Sequence, residues 1–272
     1  MATTIKPLLT DLVSTVSSVP PNYVRPESDR PKLNEVTFDH SIPLLDLQGL
    51  HGPNHSSVIK EIGEACQNYG FFQVKNHGIS PEVIDKMLHV SKEFFHLPES
   101  ERLKNYSDDP MKTTRLSTSF NGKHAQHMAI NCYPPCPEPE LTYGLPAHAD
   151  PNVITILLQA DVPGLQVLKD GKWTAVSPVP YTFIVNIGDQ IQVVSNDRYK
   201  SVLHRAVVNC KEERISIPTF YCPSPDAVMR PAPQLIDDDH PPLYRSYSYS
   251  EYYQKFWKRG LNAETCLDMF KI

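Results

Sequence analysis

Apolar positions in the first half of the chain recur at spacings typical of helices and strands. Residues 58–69 carry apolar side chains at steps of three and four, which predicts an amphipathic helix that ends at Gly70. The apolar run 71–74 predicts a strand. A second helix is predicted to begin with Ser80 as its N-cap and Pro81 at its first position. The side chains that this second helix is expected to turn inward are Val83, Met87, Val90 and Phe94.

From Met128 onward the spacing of apolar positions changes. Short β-rich runs are separated by Asp, Pro and Gly turns, and they lie at 154–158, 165–168, 183–187, 202–208 and 214–220. This spacing predicts an antiparallel sandwich or barrel rather than alternating βαβ units. Residues 250–270 have the apolar pattern of a helix that packs back on this body. The pattern therefore favours a mainly β protein with flanking helices.

The composition excludes several classes of protein. With 26 Lys and Arg against 31 Asp and Glu in 272 residues, the net charge is −5, which argues against nucleic acid or an anionic membrane as partner. No apolar run approaches the roughly 20 residues that span a bilayer. Asp11 interrupts the apolar stretch near the N-terminus, so we expect no signal peptide and a cytoplasmic location, with the nucleus left open. The six cysteines form no CxxC pair and are expected to be free thiols.

Three side chains have the pattern of a metal site. His148 and Asp150 lie two residues apart, and in an extended backbone such residues point to the same side. His204 lies in the strand pattern 202–208, on a face that is otherwise apolar. A neutral imidazole there needs a partner, and a metal shared with His148 and Asp150 would supply one. Two histidines and one carboxylate form the facial triad of non-haem Fe(II) oxygenases, which leaves three coordination positions open.

Arg214 and Ser216 follow ten residues after His204 and share a predicted strand face with Phe220. A guanidinium fork next to a hydroxyl suits a carboxylate. The acid would be a cosubstrate whose 2-oxo acid group chelates the metal, which leaves one position for O2. Phe220 is the candidate for stacking on the aromatic ring of a substrate.

Each of these features has a commoner explanation when it occurs alone. HxD pairs occur by chance, a strand histidine usually packs in the core, and an arginine near a serine is usually solvated. We interpret His77 as a turn residue, and Cys132 and Cys136 as small core residues. The combination favours the functional interpretation. An HxD pair, a histidine about 50 residues later and an RxS pair about ten residues after that are rarely found together in one β domain.

Several stretches also carry a family resemblance. They are NYVRPESDRP at 22–31, TTRLSTSFN at 113–121 and HMAINCYPPCPEPELTYGLPAHADP at 127–151, followed by His204 and 214–216. From about residue 22 to the C-terminus the chain resembles the plant soluble 2-oxoglutarate and Fe(II)-dependent dioxygenases. It is most similar to the downy-mildew-resistance type oxygenases, which are salicylic acid hydroxylases, and among them to the 3-hydroxylase branch.

The resemblance implies a double-stranded β-helix, or jelly roll, with an N-terminal α/β layer. Residues 1–121 would form the N-terminal non-haem dioxygenase region, made of an arm, two helices and short strands. Residues 122–272 would form the Fe(II)/2-oxoglutarate domain with the C-terminal helix. We expect a monomer that binds a small aromatic substrate.

The resemblance also implies roles for individual residues. Iron would be held by His148, Asp150 and His204. The far carboxylate of 2-oxoglutarate would be bound by Arg214 and Ser216, with help from Asn131 and Tyr133. Arg115 lies in a stretch similar to the family's pocket rim and is a candidate partner for an acidic aromatic substrate. Such enzymes use O2, convert 2-oxoglutarate to succinate and CO2, and commonly depend on ascorbate to keep iron reduced.

The chain departs from the family pattern at one place. Asn121 runs directly into Gly122, where the family has about 70 further residues that would form a helical layer over one face of the jelly roll. The predicted iron and 2-oxoglutarate ligands all lie outside this gap.

Three functions remain open from the sequence. The preferred one is hydroxylation of a small phenolic acid, salicylate to 2,3-dihydroxybenzoate, in plant salicylate catabolism and the control of defence and senescence. The second is a flavonoid oxidase such as a flavanone 3-hydroxylase or a flavone synthase, because the same iron site serves both reactions. The third is a truncated and catalytically silent isoform that exposes apolar surface.

Overall fold

Two β-sheets form the centre of the molecule, and helices pack against one of them. The computed structural model describes residues 15–38, 42–104, 117–118, 124–258 and 266–272. The helices are α1 (His55–Asn68), α2 (Pro81–His96), α3 (Glu99–Leu103), α4 (Asp189–Val194) and α5 (Tyr249–Lys258). The strands are β1 (Thr37–Phe38), β2 (Leu44–Asp46), β3 (Phe71–Lys75), β4 (Ser117–Thr118), β5 (His124–Met128), β6 (Asn131–Tyr133), β7 (Leu145–His148), β8 (Ile154–Gln159), β9 (Leu165–Lys169), β10 (Lys172–Ala175), β11 (Phe183–Ile187), β12 (His204–Ala206), β13 (Arg214–Pro223), β14 (Val228–Met229) and β15 (Tyr247–Ser248).

The strand order confirms the antiparallel sandwich that the sequence predicted. The first sheet runs β1-β10-β9-β12-β7, and the second runs β2-β3-β11-β8-β13-β5-β4 with β6 also paired to β13. Within the described residues, the pairs β1–β10 and β2–β3 are parallel, and the other pairs are antiparallel. Apolar side chains from both sheets, including Leu157, Leu165 and Val167, pack between them.

The N-terminal α/β layer continues the second sheet rather than standing apart from it. Strand β3 pairs with β11, and β2 pairs with β3, so both strands extend the sheet that contains β8 and β13. Helix α1 packs over this part of the sheet, with Ala65 and Cys66 against Phe72 and Val185. The division of the chain at residue 121 stays a prediction.

Helix α2 begins where the sequence predicted, but only part of its predicted inward face is buried. Pro81 is its first residue and Ser80 its N-cap, whereas Val83 and Val90 are 59% and 51% exposed, so their predicted inward orientation is wrong. The buried face carries Ile84 and Ser91, and the predicted Met87 packs against the same apolar cluster as Ile84. Ser91 was not recognised because it is polar; its hydroxyl donates to the Met87 carbonyl 2.7 Å away, which satisfies it within an apolar face.

The C-terminal stretch packs onto the sandwich through aromatic side chains. Helix α5 and a short 3₁₀ helix at Cys266–Phe270 cover most of the predicted segment, and residues 259–265 lie outside the described ones. Tyr252 of α5 donates a hydrogen bond to the buried carboxylate of Asp189 at the start of α4. All six cysteines are free, as predicted, and no helix among the described residues is long and apolar enough to cross a membrane.

Gly70 gives a test of the turn that separates α1 from β3. Its φ is +63°, and a Cβ there would lie 2.3 Å from the Lys200 carbonyl oxygen. We expect Gly70→Ala to lower the free energy of unfolding by about 3 kcal/mol, because left-handed strain and overpacking each cost about 1–3 kcal/mol. Gly78→Ala is the matched control, since Gly78 has φ +85° but no atom within 4 Å of a Cβ. Urea unfolding of both variants measures the effect. If Gly70→Ala and Gly78→Ala lower the midpoint of unfolding equally, the clash with the Lys200 carbonyl is not the cause.

Candidate metal centre

The structure brings His148, Asp150 and His204 together between the two sheets. His148 ends β7, Asp150 follows two residues later, and His204 begins β12 directly opposite His148 in the strand register. The Oδ1 atom of Asp150 lies 3.7 Å from Nε2 of His148 and 3.6 Å from Nε2 of His204. The three ligand atoms lie within 4.8 Å of one another, so one ion could contact all of them.

Backbone carbonyls orient both imidazoles. Nδ1 of His148 lies 2.9 Å from the Pro146 carbonyl oxygen, and Nδ1 of His204 lies 3.1 Å from that of Val202. Each Nδ1 therefore donates to a backbone carbonyl, and Nε2 is the nitrogen that faces Asp150. This orientation leaves Nε2 as the atom that would bind a metal.

Asp150 is 3% exposed, and it is ionised in this environment. Burial alone would raise its pKa, but the imidazoles of His204 and His148 and hydrogen bonds from Thr155 and Asn186 hold that pKa below its usual range. The Thr155 hydroxyl lies 2.5 Å from Oδ2, and Nδ2 of Asn186 lies 2.8 Å from the same oxygen. Oδ1 therefore faces the two histidines as the carboxylate's free oxygen.

The donor set fits ferrous iron. Two neutral imidazole nitrogens and one carboxylate oxygen on a single side are the ligands of non-haem Fe(II) oxygenases, and they leave positions open for other molecules. Within the described part of the chain, no other group of His, Cys, Asp and Glu side chains is arranged to hold an ion.

A buried arginine lies in the same interior with an unused donor. Arg214 is 2% exposed, its Nη2 donates to Oε1 of Gln159 at 3.2 Å, and its guanidinium lies 5.3 Å from the centre of the Tyr133 ring. Its Nε has no hydrogen-bond partner among the described residues. A buried unpaired donor is costly, so this atom fits the carboxylate of a bound acid. Ser216 lies two residues further along β13 than Arg214, and the two residues pair with Asn131 and Tyr133 of β6 respectively in the strand register.

A single cavity of about 370 Å³ connects these groups. Arg214, Ser216 and all three residues of the triad line it. Its remaining wall includes Asn131, Tyr133, His127, Phe220 and the α5 side chains Tyr253, Phe256 and Trp257. The cavity therefore contains the predicted site residues that the structure describes.

Two candidates lie elsewhere. Arg115, the predicted partner of an acidic substrate, is outside the described residues, so its role stays a prediction. His77 lies in the turn after β3, where its Nε2 is 3.0 Å from the Tyr181 carbonyl oxygen and its ring packs against Phe183. That position agrees with its interpretation as a turn residue.

The sequence interpretation missed the residues that hydrogen-bond to the proposed metal and cosubstrate ligands. Thr155, Asn186 and Gln159 contact Asp150 or Arg214, but none was singled out. A signal was present for Asn186, since it is the one polar residue in the apolar strand FIVNI, and a buried amide needs partners.

Curated relatives match this chain over nearly its whole length. It is 49% identical to the Protein DMR6-LIKE OXYGENASE 2 of Arabidopsis thaliana over 340 aligned positions, which cover 98% of both chains. The chain belongs to the 2OG-Fe(II) oxygenase superfamily. It is also 43% identical to the Arabidopsis thaliana Protein DOWNY MILDEW RESISTANCE 6, with 93% of this chain and 96% of the relative covered, and 43% identical to Flavanone 3-dioxygenase 2 of Oryza sativa subsp. japonica, with 93% and 94% covered.

Family models and a solved structure agree with this assignment. The 2OG-Fe(II) oxygenase superfamily model matches residues 124–223, and the model for the N-terminal region of non-haem dioxygenases in morphine synthesis matches 42–142. The crystal structure of JOX2 in complex with 2OG, Fe and JA superposes with a TM-score of 0.82 at 30% identity and covers 98% of both chains. This oxygenase has the jelly-roll fold, and its cofactor and cosubstrates are Fe(II), 2-oxoglutarate and O2.

The alignment also confirms that the chain is short for its family. The 340 aligned positions against 272 residues leave at least 68 positions of DMR6-LIKE OXYGENASE 2 without a counterpart in this oxygenase. The predicted place of the gap, between Asn121 and Gly122, lies outside the described residues.

Proposed function

We propose that this oxygenase hydroxylates a small phenolic acid, with salicylate to 2,3-dihydroxybenzoate as the preferred reaction. The observation that carries the proposal is that one cavity of about 370 Å³ is lined by the proposed triad, by Arg214 and Ser216, and by several aromatic side chains. Ligand cavities span about 300–1,000 Å³, so this one is near the lower end, yet it must receive 2-oxoglutarate and the substrate together. Its size therefore favours a one-ring substrate.

The part of the cavity around the triad and Arg214 is assigned to iron and the cosubstrate. His148, Asp150 and His204 would hold Fe(II), which when bound supplies the activation of O2 and the oxidative decarboxylation of 2-oxoglutarate. Arg214 and Ser216 would bind the far carboxylate, with the Arg214 guanidinium supplying the charge and N–H donors. The wall around this part, Asn131 and Tyr133 included, excludes water and fixes the orientation of the acid.

The part of the cavity lined by aromatic side chains is assigned to the phenolic substrate. Phe220 lies opposite Thr155 in the strand register, which places its ring close to the hydrogen-bonded Asp150. Tyr253, Phe256 and Trp257 of α5 add aromatic surface to the same space. Flat rings of this kind stack on an aromatic substrate. Arg115 remains the proposed partner of its carboxylate.

Two other functions compete with this one. Flavonoid oxidation is supported by the 43% identity to Flavanone 3-dioxygenase 2. A catalytically silent short isoform is supported by the 68 or more positions that have no counterpart here. Our preferred proposal includes four further points. The oxygenase acts as a monomer in the cytoplasm or nucleus, requires ascorbate, and takes part in salicylate catabolism and in defence.

The deciding experiment incubates the purified full chain with Fe(II), 2-oxoglutarate, ascorbate and air. Salicylate and naringenin are supplied in separate reactions, and products are identified by mass spectrometry against authentic standards. We expect 2,3-dihydroxybenzoate and an equal amount of succinate from salicylate. A 2,5-dihydroxy product would correct the position of attack, and a hydroxylated or desaturated flavonoid would favour the second function.

The silent-isoform alternative is tested with the same reagents. Succinate released by the full chain but not by His148→Ala would exclude it. A folded protein that releases no succinate with either substrate would establish it. Circular dichroism of both proteins separates an inactive site from a chain that has failed to fold.

A further inference from the structure

Two polar side chains on neighbouring strands converge on one atom of the proposed metal ligand Asp150. Thr155 on β8 and Asn186 on β11 are direct partners in the strand register, so their side chains point to the same side of the second sheet. Both donate to Oδ2 of Asp150, Thr155 at 2.5 Å and Asn186 at 2.8 Å. Neither residue has a part in the proposed binding of substrate or cosubstrate.

A third residue fixes the direction of the Thr155 hydrogen bond. Nδ2 of Asn152 donates to the Thr155 hydroxyl oxygen at 3.0 Å and to the Ile154 carbonyl at 2.8 Å. Because the hydroxyl oxygen accepts from Asn152, its own proton is directed to Asp150. Asn152 is 0% exposed and Thr155 and Asn186 are each 3% exposed, so water does not compete for these bonds.

The result is a carboxylate whose two oxygens have different surroundings. Oδ2 receives two hydrogen bonds from the second sheet, whereas Oδ1 faces the Nε2 atoms of His148 and His204. An aspartate can bind a metal through one oxygen or through both. Binding through both would use one of the three positions that a facial triad leaves open.

We propose that Thr155 and Asn186 are positioning residues that engage Oδ2 and so make Asp150 a ligand through Oδ1 alone. The inference rests on the proposed role of Asp150 in holding the metal. It deepens that role, since two side chains outside the triad keep coordination positions free for 2-oxoglutarate and O2. Outer partners of metal ligands of this kind typically contribute about 10–100-fold to metal affinity.

The test measures binding of Co(II) to the metal-free full chain by its visible absorption, without 2-oxoglutarate or substrate. We expect Thr155→Val, which keeps the branched shape and removes the donor, to weaken Co(II) binding about 10-fold. Thr155→Ser keeps the hydroxyl and should restore most of the affinity. Asn186→Ala should weaken binding as Thr155→Val does.

Thr182→Val is the matched control for loss of a buried threonine hydroxyl. Thr182 is 6% exposed and donates to the Val179 carbonyl at 2.8 Å, away from the cavity. This variant should bind Co(II) as the wild type does. Circular dichroism confirms that each variant is folded before its titration is interpreted.

A double-mutant cycle separates positioning from general support of the fold. Thr155 acts through Asp150, so Thr155→Val should have no further effect on Co(II) affinity in the Asp150→Ala background. Equal losses in both backgrounds would overturn the proposal. If Asp150→Ala weakens Co(II) binding but Thr155→Val does not, the positioning role is overturned and the metal site stands. If the folded wild type binds no Co(II), the proposed metal function is overturned as well.

Discussion

Replacing His204 with alanine is expected to abolish 2-oxoglutarate turnover. The substitution removes one of the three proposed metal donors, and no other group of His, Cys, Asp and Glu among the described residues is arranged to hold an ion. Loss of a side chain that hydrogen-bonds to a metal ligand typically lowers metal affinity or activity about 10–100-fold. Loss of a ligand itself should therefore lower the rate of succinate release at least about 100-fold. The rate is measured at saturating Fe(II) and 2-oxoglutarate, with salicylate present.

His77→Ala is the control for this result. His77 contacts Tyr181 and Phe183 on the surface turn and does not line the cavity. The variant should keep its activity. Succinate release that survives His204→Ala, or that disappears in His77→Ala, would show that the metal site has been placed on the wrong histidine.

Arg214→Met is expected to raise the KM for 2-oxoglutarate about 100-fold while kcat falls much less. Methionine retains an unbranched stem of similar length but offers no hydrogen bond to an acid. Each hydrogen bond to a charged group is worth about 1.5–3 kcal/mol, and 1.4 kcal/mol corresponds to a tenfold change in affinity, so two such bonds account for the expected effect. Initial rates over a range of 2-oxoglutarate concentrations measure both constants.

A second cosubstrate makes the Arg214 test specific for the far carboxylate. 2-Oxopentanoate has the same metal-binding group as 2-oxoglutarate but ends in a methyl group. The wild type should strongly prefer 2-oxoglutarate, and Arg214→Met should lose that preference. Arg214→Lys should give an intermediate ratio, because an ammonium supplies charge without the planar fork. A ratio that stays unchanged in Arg214→Met would place the carboxylate elsewhere.

Much of the site could be predicted because strand geometry converts sequence spacing into direction. Arg214, Ser216 and Phe220 are separated by even numbers of residues, so a strand places them on one face, and all three line the cavity. His148 and Asp150 could be paired for the same reason. The sequence also indicated that His204 required a partner, since it stands on an otherwise apolar face.

The missed features depend on contacts between strands and helices distant in the sequence. Thr155 and Asn186 are more than 30 residues apart and meet only because β8 pairs with β11. No spacing rule gives that register. The inward face of α2 was misjudged because Ser91 satisfies its hydroxyl within the helix and so occupies a buried position that the apolar pattern assigned to valines.

The two imidazoles of the candidate centre come from one sheet, whereas the partners of Asp150 and the proposed anion-binding residue Arg214 come from the other. An ion held here would link the two halves of the sandwich, and a ligand that binds only the folded chain adds to its stability. In a cell short of iron, this oxygenase would therefore lose resistance to unfolding and proteolysis as well as turnover. Iron supply would then set both how fast each molecule works and how many molecules persist.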